Sequence, residues 1–177
     1  MLNNVKQSLD TFAKQVVSRA KANLTKNKMN ASKALHDSLG YELNVGPNSF
    51  SLKMLAEDYW IYQDKGVKGV GGTKADGTAW KVKKVFDSPF TFKTKMPPPS
   101  AFNGWVIRRG IAPRSVGGQF TSRKGLMFAI AKSVFHTGIK TTHFWSKPFE
   151  EAFKNLPKEL VEAFALDVQD LIKFTTK

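Results

Sequence analysis

The stretch Tyr41-Glu42-Leu43-Asn44-Val45-Gly46-Pro47-Asn48-Ser49-Phe50-Ser51-Leu52-Lys53-Met54 decides the fold. Polar and apolar residues alternate through Tyr41, Leu43 and Val45, a Gly46-Pro47-Asn48 turn intervenes, and the alternation resumes at Phe50, Leu52 and Met54. A period of two puts each apolar set on one face of a strand, so the stretch predicts a half-buried β-hairpin. On both sides of it the period lengthens. Leu2, Val5, Leu9, Phe12 and Val16, continued by Ala20 and Leu24, recur at three and four, which is one face of a long amphipathic helix. That face has two possible uses: it lies on the chain's own core, or, because it keeps to heptad positions, it packs on another subunit through Val5, Leu9, Phe12 and Val16. Residues 31–39 predict a shorter helix that stops at Gly40, which tolerates the left-handed conformation of a helix end. Leu55, Tyr59 and Tyr62, with Trp60 and Ile61, suit a heavily buried helix over 55–65 that closes before Gly66.

Farther along, 66–102 mixes turn residues with Trp80, Val82 and Val85, then Phe90 and Phe92, and predicts one or two strands joined by mobile connections. Pro99 or Ser100 opens a helix through Phe102, Trp105, Val106 and Arg109 that closes near Gly110. Thr121 or Ser122 is placed to cap the next helix, whose two faces, Leu126, Met127, Ile130 and Val134 on one and Phe128, Ala131 and Phe135 on the other, predict a mostly buried element. Ser146 is expected to cap a turn carrying Pro148, Glu150 and Glu151, carboxylates that suit the positive end of a helix dipole. After Pro157, the spacing of Leu160, Val161, Phe164, Val168, Leu171 and Ile172 predicts a final amphipathic helix. The fold class that follows is α+β: a small antiparallel sheet, with a β-hairpin packed by several helices, a long N-terminal helix and C-terminal helices. At 177 residues, 41% of them hydrophobic, the chain is long enough for the core of one domain spanning 1–177.

Charge is concentrated in the middle of the chain. The net charge is +14, and residues 65–124 hold thirteen Lys or Arg against Asp76 and Asp87 alone. The same stretch is rich in Gly and Pro, from Gly66, Gly69, Gly71, Gly72 and Gly77 to Pro97-Pro98-Pro99 and Gly117-Gly118. Basic loops of this kind face a polyanion, nucleic acid being the commonest, unless they serve solubility or pair with acidic patches on neighbouring subunits. Residues 146–177 carry five bases and six acids, a contrast with the basic middle that suits head-to-tail contact between copies. Trp80-Lys81-Val82-Lys83-Lys84 and Phe92-Lys93-Thr94-Lys95 interleave rings and bases. That mixture stacks nucleobases while holding phosphates, or else turns rings inward and lysines outward, a face that still suits contact with a phosphate backbone.

Chemistry is harder to place. There is no cysteine, hence no disulfide, no thiolate nucleophile and no Cys-based zinc site. His36, His136 and His143 lack metal-ligand spacing, and no carboxylate pair sits in the basic region where a nuclease would hold magnesium, so no catalytic residue, metal or cofactor is expected. Gly66-Val67-Lys68-Gly69-Val70-Gly71-Gly72-Thr73-Lys74 resembles a phosphate loop, yet Gly72-Thr73 stands where a Walker loop needs Lys and then Ser or Thr. Its Gly66-x-x-Gly69 also matches the clamp of a KH domain without the flanking order that domain requires, and the plainer reading is a flexible loop. Lys6, Asp10, Lys14 and Arg19 interrupt the apolar residues of 1–24, which is unlike a signal peptide, and no run of about 18 apolar residues predicts a membrane span.

With these residues in order, the chain resembles the small head-to-tail connector, or tail-completion, proteins of the neck of tailed bacteriophages. The likeness lies in succession. An N-terminal helix is followed by Leu35 with Ser38-Leu39 before the hairpin, then Tyr59 and Tyr62 in a helix ending at Gly66, then a basic loop, then Gly138-Ile139-Lys140-Thr141-Thr142-His143-Phe144 leading to Pro148-Phe149. The match covers about 9–174 and departs from the family at His143, where Pro is frequent, at Trp145, and in the length of 80–118. The resemblance implies a ring-shaped homo-oligomer without catalysis, built in the host bacterial cytoplasm and carried in the virion neck, with a lumen that passes DNA. Its partners would be the portal, adjacent neck proteins or the tail, with non-specific contact to genomic DNA and no membrane. The residues placed to face the channel or the next ring are Lys65, Lys68, Lys74, Lys81, Lys83, Lys84, Arg108, Arg109, Arg114, Arg123 and Lys124. Two other classes stay open at this point, a free and non-catalytic basic nucleic-acid-binding module and a basic enzyme such as a phage nuclease or lysis enzyme.

Overall fold

The computed structural model describes residues 2–27, 29, 32–46, 49–114, 117–120 and 122–175. Among them the elements are seven α-helices, one 3-10 turn and a two-stranded antiparallel sheet, an α+β fold. By internal packing the chain divides into two compact units, Met1–Asn27 with Ala34–Glu57 and Phe144–Lys177, and Lys28–Lys33 with Asp58–His143.

The first unit is built on α1, Asn3–Lys26, which buries Val5, Phe12, Ala13, Val16, Ala20 and Leu24 along one face. Each large apolar side chain so buried stabilises the unit by about 1.5–3 kcal/mol relative to exposure. Against that face lie α6, Ser146–Phe153, and α7, Leu156–Thr175, with the hairpin beside them. Phe12 meets Phe149 edge-on at 5.6 Å, and Phe149 stacks on Phe153 at 5.8 Å. Of the four subunit-contact candidates, Val5, Phe12 and Val16 are therefore core of this unit, and Leu9 is half-buried.

β1, Gly40–Val45, and β2, Phe50–Leu55, pair with Tyr41 opposite Met54, Leu43 opposite Leu52 and Val45 opposite Phe50. The predicted hairpin is thus present, closed by the Gly46 amide on the Ser49 carbonyl at 2.8 Å; Pro47 and Asn48 of its turn lie outside the described residues. The Tyr41 hydroxyl donates to Asp10 Oδ1 at 2.5 Å while Lys14 holds the other carboxylate oxygen at 2.7 Å, which ties β1 to α1. The Lys14 ammonium, with the Tyr41 hydroxyl, keeps the Asp10 carboxyl below its usual range. α2, Ala34–Ser38, starts later than the spacing predicts, and position 31 is not among the described residues. Leu35 enters the core, and the Ser38 hydroxyl accepts the Glu57 amide at 3.0 Å, locking the end of the hairpin to α2.

Two expectations about this unit fail. Ser146 begins α6 instead of capping it, and Glu150 and Glu151 fall beyond its first turn. α7 turns Ala163 and Asp167 to the core, while Val161, Phe164, Leu171 and Ile172 of the predicted stripe are exposed. The reason is local. α1 has neither an acid in its first turn nor a side-chain cap of its own. The Asp167 carboxylate supplies both, accepting the amides of Asn4 and Val5 at 3.0 Å and the Asn4 side-chain amide at 2.9 Å. Burial alone would raise the Asp167 pKa, but these donors outweigh it and the net shift is downward.

The second unit contains α3, Trp60–Lys65, the 3-10 turn Pro99–Phe102, α4, Asn103–Arg108, and α5, Arg123–Thr137. α3 begins five residues later than predicted because Leu55 is claimed by β2, and the buried member of α3 is Asp64, not its aromatics. The strands expected over 80–92 do not form; among the described residues 66–98 makes only single bridges, Val67 to Ile139, Lys68 to Thr91 and Thr73 to Ala79. α5 starts as predicted with the Ser122 hydroxyl on the Gly125 amide at 3.2 Å, Thr121 lying outside the described residues. It is not mostly buried: Ala131 is buried, but Leu126, Met127, Ile130 and Val134 are half-covered and Phe128 is exposed, since a 3-10 turn and an extended strap are too narrow to cover both faces.

Candidate functional site

The strap 66–92 is held by the carbonyls that a helix end leaves without partners. The last carbonyls of α5 receive strap amides: Val70 donates to Phe135 at 3.1 Å, Gly71 to His136 at 3.0 Å and Lys83 to Thr137 at 2.8 Å. The converse holds at α3. The Thr142 and His143 amides donate to the Asp64 carbonyl, the Thr142 hydroxyl to Gln63 at 2.6 Å and the Thr141 hydroxyl to Lys65 at 2.7 Å. Each helix thus ends in a glycine of positive φ, Gly66 at 77° and Gly138 at 82°, and each departing chain caps the other helix. Val67 and Ile139 exchange both backbone hydrogen bonds where the two chains cross. The glycine run that resembles a phosphate loop is therefore a helix-capping strap. Gly66 and Gly69 are required there because a Cβ at either would collide with backbone atoms of 136–141.

Beyond the crossing, the strap closes a tight hairpin. Lys74 accepts the Gly77 amide and donates to Thr78, and the Asp76 carboxylate binds the Thr78 hydroxyl at 2.6 Å and amide at 2.9 Å, which holds Asp76 below the usual carboxylate range. The base of this hairpin is clamped by a stack. Trp80 lies parallel to His136 with ring centroids 5.0 Å apart, the Lys74 ammonium sits 5.4 Å over Trp80, and His136 Nδ1 is 2.6 Å from the Gly71 carbonyl oxygen. The loop read as mobile is thus anchored, and the anchor uses Trp80 as ring inward and leaves Lys81, Lys83 and Lys84 exposed. After Ser88, whose hydroxyl donates to the Gly66 carbonyl at 2.6 Å, the chain returns along the strap as Phe92 donates to the Lys68 carbonyl at 2.9 Å.

This return forms one wall of an open groove of about 1250 Å³. Tyr62 and Phe90 meet edge-on at 4.6 Å within it, Phe92 and Trp105 add to its apolar lining, and Lys83 and Lys93 border it. Nothing in the spacing of the sequence marks this groove beyond Tyr62, three residues from Tyr59, both of which line it.

The other predicted cations are placed separately. Lys68 is exposed beside Thr91, and Lys65 ends α3 with its carbonyl bound by Thr141. Arg108 folds against Gly104 of its own helix, Arg109 caps α4, and the Arg114 guanidinium lies 4.8 Å over Phe120. Arg123 and Lys124 open α5, where they border a shallow hollow of about 600 Å³ with Ser100 and Asn103. Two cations at the positive end of a helix dipole oppose its stability, and no acid shares that turn. Among the described residues no three His, Asp or Glu side chains gather as a metal site, and no helix is long and apolar enough to cross a membrane. Comparisons with protein-family models, curated proteins and solved structures find no match to this chain.

Proposed function

We propose that the chain is a non-catalytic structural subunit of the neck of a tailed bacteriophage. Copies of it form a ring that joins the portal or head to the tail, and DNA passes through its lumen. The observation that supports this reading most is where the family-like segments fall. Tyr59 to Gly66 and Gly138 to Phe144, the two segments richest in the resemblance, supply the helix ends that cap each other, and what they carry outward is a cationic strap. A ring lumen needs that combination: a rigid crossing and exposed charge that meets phosphate without reading sequence. The strap lysines Lys81, Lys83 and Lys84 are exposed, so their side chains contribute little to the fold. Replacing all three by Gln should leave the melting temperature within a few degrees and impair particle assembly or retention of packaged DNA. Fully infectious particles carrying the triple variant would refute the role. The same cations also suit a free nucleic-acid-binding module. That reading gains if the isolated chain binds duplex DNA with an affinity that falls steeply with salt, whereas an isolated ring subunit binds DNA poorly.

A further inference from the structure

The exposed face of α7 and the groove of the second unit are complementary surfaces on one chain. On α7, Val161 is 70% and Phe164 52% exposed, and Val168 and Leu171 continue the same face over about 15 Å of helix. Glu159, Glu162 and Asp170 are exposed on the same helix, while its fourth carboxylate, Asp167, is occupied in capping α1. The groove is apolar along Tyr62, Phe90, Phe92 and Trp105, bordered by Lys83 and Lys93, and set in the most basic part of the sequence. At about 1250 Å³ it is larger than the roughly 300–1,000 Å³ of pockets that enclose small molecules. An amphipathic helix laid by its apolar face into such a groove is a recurring mode of recognition, read as anchors at three, four and seven residues.

We propose that α7 of one copy docks in the groove of the next copy, Val161 and Phe164 entering between the aromatic walls and the exposed Glu159 and Glu162 meeting Lys83 and Lys93. The occupant is a second copy because both halves of the match, in shape and in charge, belong to this chain. The two surfaces differ, so the contact is heterologous: each copy uses its helix on one neighbour and its groove on the other, and the series closes as a ring or runs on as a filament. The inference deepens the ring-subunit reading and rests on it for why the series closes.

The absence of cysteine makes the test clean. Val161→Cys and Lys93→Cys are combined in one full-length chain and treated with a short bis-maleimide. Head-to-tail docking predicts a ladder of dimers, trimers and larger species on a denaturing gel, with each single variant alone unable to pass dimer. Adding Phe164→Glu, at an exposed position, should reduce the ladder about ten-fold, as for a central interface anchor, with circular dichroism unchanged. Lys83→Glu should weaken it in the same direction. A double variant that stays monomeric or links only within one chain overturns the inference, and so does a ladder indifferent to Phe164→Glu. Rings of wild-type protein in electron micrographs without a ladder would overturn this interface while leaving the ring reading standing. A ladder from a chain that phage particles lack would overturn the neck reading while leaving the interface standing.

Discussion

Gly77 has φ of +81° with open space where a side chain would stand, whereas Gly69 faces the His136 carbonyl and the Gly138 amide so closely that no Cβ fits. The two substitutions therefore test different physics. Gly77→Ala meets only the left-handed penalty and should cost about 1–2 kcal/mol. Gly69→Ala must push the strap off the end of α5, freeing the carbonyls that Val70 and Gly71 cap, and should cost at least about 3 kcal/mol. Urea unfolding midpoints of the two variants measure the difference; equal costs would contradict the capping role of the strap. Arg123 and Lys124 make the opposite case. Both stand at the positive end of α5, so replacing them with Glu should stabilise the chain by about 1 kcal/mol. If they face phosphate, one of the two places the neck reading gives them, the same change weakens binding to DNA-filled particles. A pair of cations kept where they oppose folding fits a surface used for anions, and a gain in stability with no loss in binding would refute that use.

At the level of elements, α1 begins on a cap that its own sequence does not contain. The folded Asp167 carboxyl binds its proton only below the pH at which the unfolded one does, because the Asn4 and Val5 amides favour the charged form. Its stabilising contribution is therefore full above the unfolded carboxylate pKa, about 4, and is lost as pH falls through the lower folded value. Asp167→Asn should lower the melting temperature at pH 7 and flatten its decline between about pH 5 and 2. A decline as steep as that of the wild type would assign the acid sensitivity elsewhere, the Asp10 carboxylate held by Lys14 and Tyr41 being the next candidate. Periodicity made α1 and the hairpin legible, since a period of 3.6 or 2 names the residues that share a face. It could not say which face of α7 meets the core. The largest apolar residues suggested one side, and the small Ala163 with the capping Asp167 took the other. Over 66–98 periodicity failed for another reason: the backbone there bonds to helix ends far along the chain and to itself only at single bridges, never in a continuous ladder, and nothing in the local pattern of Trp80, Val82 and Val85 records that. The glycines were visible and their need for space was not, because the crossing partners, 136–138 for Gly69 and 139–141 for Gly66, lie far along the chain.

At the scale of the whole chain, one unit supplies an apolar helix face and the other a cationic strap and an aromatic groove, and among the described residues no three His, Asp or Glu side chains gather as a metal site. What the sequence disclosed at this scale was the distribution of charge. The thirteen cations of 65–124 were countable, but the groove was not, since Tyr62, Phe90 and Trp105 come together only through the crossing of two helix ends. The neck reading requires the chain to be a permanent part of a particle and not a catalyst or a free DNA binder. The most direct test is to count it by quantitative mass spectrometry, against the portal protein, in purified particles of the tailed phage to which the neck reading assigns it. The account predicts a small fixed ratio to portal that survives washing at high salt and nuclease treatment; particles that are complete, DNA-filled and free of this chain would contradict it.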